Sequence, residues 1–232
     1  MGESFALAIE LIVSGDRDLL EILGLSLYVS VSATLIACVI GFSLGAVLAI
    51  SRFPGRSVCL VVVNALMGLP PVVVGLIVYL YLSRSGPLGF LGLLYTPTAM
   101  IIAQTLLITP IIIALSRQVL EDLALEYQDT FASLRLSATQ AYATLAWEGR
   151  FALLTVALAG FGRAIAEVGA VMIVGGNIDH LTRVMTTAIA LETSKGNLPL
   201  ALALGLVLVT IALLVNAFLH GVRTTASRYA HV

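Results

Sequence analysis

Charge is scarce in this chain. Its 232 residues hold 12 Lys and Arg against 13 Asp and Glu, 11% in all, for a net charge of −1. Soluble domains carry about 25% charged residues. The deficit excludes a soluble globular enzyme, and the near-zero balance excludes a nucleic-acid binder. Aromatic residues are also few, at 7%. Two cysteines, Cys38 and Cys59, lie in apolar runs with no metal-ligand spacing, and a small apolar role accounts for both. No glycine-rich loop with Lys-Ser/Thr is present, so the chain carries no phosphate cradle of its own. What remains is 59% hydrophobic residues and 20 glycines. That composition fits an all-α, polytopic helical membrane protein with small residues for close helix packing.

Five apolar stretches are long enough to cross a bilayer: Ile22–Ile50, Ser57–Ser83, Thr96–Ser116, Phe151–Val174 and Leu198–Leu219. Pro70-Pro71 interrupts the second, and Pro110 lies inside the third. Residues 1–21 are predicted to form a short amphipathic helix with a Ser14-Gly15 break; acidic Glu3 and Glu10 do not suit a signal peptide. Residues 22–222 are then the membrane domain, and 223–232 a tail.

The connections differ in charge. One side collects Arg52, Arg56, Arg117, Arg135, Arg150, Arg223 and Arg228, and the other Arg17, Arg84, Arg183 and Lys195. Seven cations against four place the first set in the cytoplasm, the N-terminus outside and the C-terminus inside.

Residues of about 117–150 form the long cytoplasmic loop, and 175–197 the longest outer connection. The stretch Asp129-Thr-Phe-Ala-Ser-Leu-Arg-Leu-Ser137, continuing to Glu148, resembles the EAA loop of permeases of ATP-binding-cassette importers. Asp129 falls on the family's Glu, Thr130 and Phe131 on its two alanines, and Ala132-Ser133-Leu134 follows the pattern. Arg135 replaces the family's Gly, and Glu148 its late Pro. Gly160–Asn177, with Arg163, Glu167, Gly169, Gly175, Gly176 and Asn177, resembles a signature stretch of the molybdate, tungstate and sulfate permeases. Leu69-Pro70-Pro71-Val-Val-Val-Gly75 resembles another. The polar run Thr182–Asn197 is most similar to the tungstate-type permeases.

The resemblance implies a type I importer permease fold with five transmembrane helices. It implies a non-enzymatic transport subunit that moves a tetrahedral oxyanion, tungstate ahead of molybdate or sulfate. The implied partners are a second copy of the chain, two cytoplasmic ATPase subunits and an extracytoplasmic oxyanion-binding protein, all at the cell membrane. The chain would bind no cofactor, with ATP and Mg held by the partner ATPase. Asp129, Thr130, Ala132, Ser133, Leu134, Arg135, Leu136 and Ser137 would form the ATPase-coupling loop.

The residues themselves support parts of this. Ser137 is a good N-cap for a helix over Ala138–Leu145, and Asp129 suits the start of a short helix. Leu134 and Leu136 are apolar in a loop facing water, so they either meet a partner or pack on the protein's own helix ends. Arg163 and Glu167 stand four apart and can pair within the fourth stretch, lining a route or fixing helix register. Pro70, Pro71, Gly169, Gly175, Gly176 and Asn177 are candidate gate or pore residues, with a plain kink as the alternative for the prolines. Gly41 and Gly45 form a small-residue packing face. The alternative class is a self-sufficient carrier or channel, but no internal repeat of the kind carriers show is evident.

Overall fold

A computed structural model describes residues 2–134 and 136–229. Among the described residues there are eleven α-helices, one 3-10 turn and no strand. Two long helices form the spine: α2 (Arg17–Ile50) and α5 (Pro97–Glu126). At 1.5 Å per residue the 34-residue α2 is about 50 Å long, well beyond a bilayer core. The two meet at small residues. A Cβ on Gly41 would lie 2.6 Å from Ile112 Cγ2, and one on Gly45 2.1 Å from Ser116 Oγ. Nothing larger than glycine fits there, which is how helices approach closely where lipid removes the hydrophobic drive between them.

Before this spine lies α1 (Gly2–Ser14). Gly15 takes a left-handed φ of +65°, and the Asp16 carboxylate accepts from Leu19 N at 3.0 Å to start α2. Helix α1 stops at the expected Ser14-Gly15 break, and the helix that carries the first apolar stretch begins at Arg17, five residues ahead of Ile22. At the other end α5 runs ten residues past Ser116, carrying the third span into the loop region.

The second and fourth apolar stretches are each two helices. Helix α3 (Arg56–Met67) meets α4 (Pro71–Leu82) at 99°, and α8 (Arg150–Ile165) meets α9 (Gly169–Gly175) at 59°. Three helices are long and apolar enough to cross a membrane alone, the third being Leu198–Phe218 within α11 (Leu198–Tyr229). Counting each bent pair as one crossing gives five. Between α5 and α8 lie α6 (Gln128–Leu134) and α7 (Ala138–Glu148), and α10 (Met185–Lys195) precedes α11.

The core sits where α2, α4, α5 and α9 converge, on Val29, Val78, Met100, Ala103, Val171 and Val174. Large apolar side chains such as Leu35, Val39, Val61 and Leu80 are exposed on the outside of the bundle. On a soluble protein they would be a liability; against acyl chains they are in their preferred solvent.

Candidate functional site

The two helix breaks pack against each other. Gly75 on α4 approaches α9 so closely that a Cβ would stand 2.7 Å from Ala170 Cα. A Cβ on Gly169 would meet Val72 Cγ2 at 2.9 Å. Pro70 precedes α4 with an extended backbone and Pro71 is its first residue. The sequence-predicted Pro70, Pro71 and Gly169 thus come together with Gly75 at one locus.

Glu167 organises the other side of it. It does not share a helix with Arg163, because α8 ends at Ile165 and Glu167 lies in the break. The pair forms nonetheless, Arg163 Nη1 to Glu167 Oε2 at 2.6 Å. The second carboxylate oxygen accepts from Ala170 N at 3.1 Å and so caps α9. Glu167 is 4% exposed, whereas the Arg163 side chain is 37% exposed. Side chains from afar also reach the backbone here: Thr186 Oγ1 donates to Glu167 O at 2.7 Å, and Gln104 Nε2 donates at 3.0 Å to Ala164 O, which also accepts from Glu167 N at 3.1 Å. Irregular backbone at membrane depth needs such partners. Gln104 and Thr186 escape a sequence reading, since nothing local says that either faces the α8–α9 break; a buried amide in a span is the one signal for Gln104.

Gly175, Gly176 and Asn177 end α9 as a turn. Gly176 and Asn177 have φ of +72° and +49°. A Cβ on Gly175 would meet Met100 Sδ at 3.0 Å, and Gly176 stacks on the Tyr95 ring, whose backbone N donates to Val174 O at 3.0 Å. Thr182 Oγ1 donates to Gly175 O at 2.6 Å and accepts from Ile178 N at 2.9 Å. This turn is about one short helix away from the break locus, not part of it.

The polar run Thr182–Asn197 is largely spent on local architecture. Glu192 accepts from Lys195 Nζ at 2.9 Å and Asn197 Nδ2 at 3.0 Å, and the Lys195 hydrogen bond holds its carboxyl below the usual range. Asp179 pairs with Arg183 at 2.6 Å. Exposed His180 meets Glu21 at 3.0 Å across from the start of α2, and that hydrogen bond raises its pKa above the ordinary value.

In the long loop, Ser137 caps α7 with a capping box: Ser137 N donates to Gln140 Oε1 at 2.9 Å and Gln140 N to Ser137 Oγ at 3.4 Å. The helix runs beyond Leu145 to Glu148. Asp129 is in the first turn of α6, and Ser133 Oγ donates to Asp129 O at 2.8 Å. Thr130, Ala132 and Ser133 are exposed, and Leu134 is 64% exposed; Leu136 is half-buried, with its N donating to Phe131 O at 3.3 Å. Arg135 lies outside the described residues, as do positions 230–232 of the tail. Behind the exposed face, Tyr127 stacks on Phe131 and Leu145 packs with Leu120 and Ala46. Glu121 bridges Arg56 (2.8 Å) and Arg117, tying α3 to α5 beside this loop.

No protein-family model matches the chain. It is 43% identical, over 96% of its length and 98% of the relative's, to a tungstate uptake system permease protein of Peptoclostridium acidaminophilum. A tungstate uptake permease of Campylobacter jejuni is 43% identical over 71% of the chain and 69% of its own length. A probable anion ABC transporter permease of Haloferax volcanii is 41% identical over 86% and 88%. With a multi-pass helical bundle and kinship across nearly its whole length, the chain belongs to the family of tungstate uptake permeases, membrane components of anion transporters of the ATP-binding-cassette class.

Proposed function

We propose that the chain is the membrane-spanning half of an ATP-driven importer that moves a tetrahedral oxyanion, tungstate before molybdate or sulfate, into the cytoplasm by alternating access. The working assembly is two copies of the chain, two cytoplasmic ATPase subunits holding ATP and Mg, and an extracytoplasmic binding protein that captures the anion. The N-terminus is outside and the C-terminus cytoplasmic. Residues 22–222 form the transporting unit, and residues 117–150 its cytoplasmic loop.

The observation that carries this reading is the exposed elbow of α6 and α7. Short helices joined to α5 and α8 at their outer ends transmit a push to both, and Leu134 offers an apolar knob where water would otherwise be met. ATP binding by the partners closes the cytoplasmic side through this elbow, and hydrolysis resets it. The anion passes over hydroxyls and backbone amides, because Arg163 is neutralised by Glu167 and offers no lasting positive trap. A conduit must release what it binds.

Leu134→Asp tests the elbow. Co-purified ATPase is expected to fall about tenfold, as when an interface anchor is lost. Permease stability should change by less than about 1 kcal/mol because the side chain is exposed. Undiminished assembly and uptake would sink the coupling role. Uptake competition with excess tungstate, molybdate or sulfate tests the cargo: tungstate should compete best, and failure of both tungstate and molybdate would end the assignment.

A further inference from the structure

The loop between α4 and α5 is built so tightly that it has one shape. Gly86 N donates to Ser83 O at 2.8 Å, and Leu88 N to Tyr81 O at 2.9 Å. A Cβ on Gly86 would stand 2.1 Å from Leu80 O, and one on Gly89 2.2 Å from Ser83 O. Only glycine fits at either position, and the close approach of Gly89 to the Ser83 and Arg84 backbone holds the start of the loop in place.

What the loop holds is a set of donors. Ser83, Arg84 and Ser85 line a cavity of about 640 Å³, with Tyr79 and Tyr95 on its wall and no carboxylate among the lining residues. The Ser83 hydroxyl donates to Leu80 O at 3.0 Å and lies 3.4 Å from the Ser85 hydroxyl, and the two tyrosine rings meet edge-on with centroids 6.4 Å apart. Arg84 is exposed and makes no ion pair among the described residues. Arg183 and Lys195, on the same side by charge distribution, are both neutralised, by Asp179 and Glu192. An unpaired guanidinium beside the Ser85 hydroxyl, with no carboxylate among the lining residues, is a donor set for an anion with several acceptor oxygens. The volume leaves such an anion much of its hydration. The wall also leads inward, since Tyr95 is bonded to Val174 O and lies under Gly176.

We propose that the Ser83-Arg84-Ser85 cavity is an outer reception site, where a tetrahedral oxyanion rests after leaving its carrier and before entering the bundle. The inference rests on the importer reading and its sidedness. One cation rather than several makes the site weak, as a relay must be.

The test uses the complete transporter, with its ATPase and loaded binding protein, in proteoliposomes, and reads tungstate taken up per ATP hydrolysed. Arg84→Ala should lower that ratio about tenfold, the effect of losing a charged hydrogen-bond donor to an anion. Arg84→Lys should keep more than half of it. Ser85→Ala should lower it about threefold, as losing a neutral hydrogen bond does. An unchanged ratio in Arg84→Ala overturns the inference. So does a proportional fall of uptake and hydrolysis, which would assign Arg84 to docking the binding protein. If the wild-type transporter moves no oxyanion at all, the importer reading itself has failed; transport by the wild type with an insensitive Arg84 fails the reception site alone.

Discussion

The two broken helices face the same problem and solve it differently. Between α3 and α4 the break is covalent. Pro70 and Pro71 have no N–H to donate, and a proline restrains the residue before it from helical backbone. Between α8 and α9 there is no proline at all. The break over Ala166–Val168 is held by side chains: Glu167 caps α9, Arg163 balances its charge, and Thr186 and Gln104 donate to the carbonyls of Glu167 and Ala164. The first break persists whatever surrounds it. The second exists only while elements distant in sequence stay docked, so it is the one a conformational change can make or unmake.

Removing Glu167 should have the largest effect. Glu167→Ala leaves Arg163 without its counter-ion and α9 without its cap. Breaking a buried pair by deleting one partner costs about 3 kcal/mol at the lower end; that end applies because Arg163 is partly exposed. Glu167→Gln keeps an acceptor for Ala170 N and should lose less. Thermal unfolding of the purified permease in detergent measures both. Equal stability of Glu167→Ala and wild type would mean that the α8–α9 break, like the proline break, needs no side-chain support.

A smaller loss is expected where the two breaks touch. Gly75→Val must push α4 away from Ala170, and overpacking of this kind costs about 2 kcal/mol. Gly24→Ala is the control. Nothing lies within 4 Å of a Cβ there, so it should be neutral or stabilising by up to about 1 kcal/mol. Similar unfolding temperatures for the two variants would show that the breaks are independent rather than one packed unit.

The proline break was legible in the sequence and the other was not, for a physical reason. Proline writes its effect locally, so Pro70-Pro71 marks the bend, although not its 99° size. The break after Ile165 depends on residues 19 and 60 positions away from the backbone they satisfy. The spacing of Arg163 and Glu167 predicts their pairing, but i and i+4 also implies one continuous helix, and the pair survives without it. Ser137 as a helix cap is local chemistry and readable. The bridge of Arg56 and Arg117 by Glu121 is not, because three loop-region charges look alike until the fold brings them together. The five apolar stretches likewise mark the bundle, while the Gly41, Gly45 and Gly75 contacts that fix its packing depend on which helix faces them.

The side-chain-held break continues outward into a contact that pH can loosen. Beyond α9, His180 reaches Glu21 at the start of α2 at 3.0 Å, with Asp179 and Asp18 adding negative charge and Arg183 paired to Asp179. Glu21 raises the His180 pKa in the folded chain above its unfolded value near 6.5. A raised histidine contributes stability fully below the unfolded pKa and loses it as pH rises through the folded one. The tie between the α9 turn and α2 should therefore be firmest in mildly acidic solution and slack in alkaline solution. Being exposed, it is a small effect and screened by salt. Hydrogen exchange of the 176–183 segment at low ionic strength should speed up, beyond the intrinsic pH dependence, between pH 6 and 8.5, and His180→Gln should abolish that excess. An excess that survives in His180→Gln would place the pH-sensitive group elsewhere, and the absence of any excess in the wild type would leave this end of the break as insensitive to protons as the proline break.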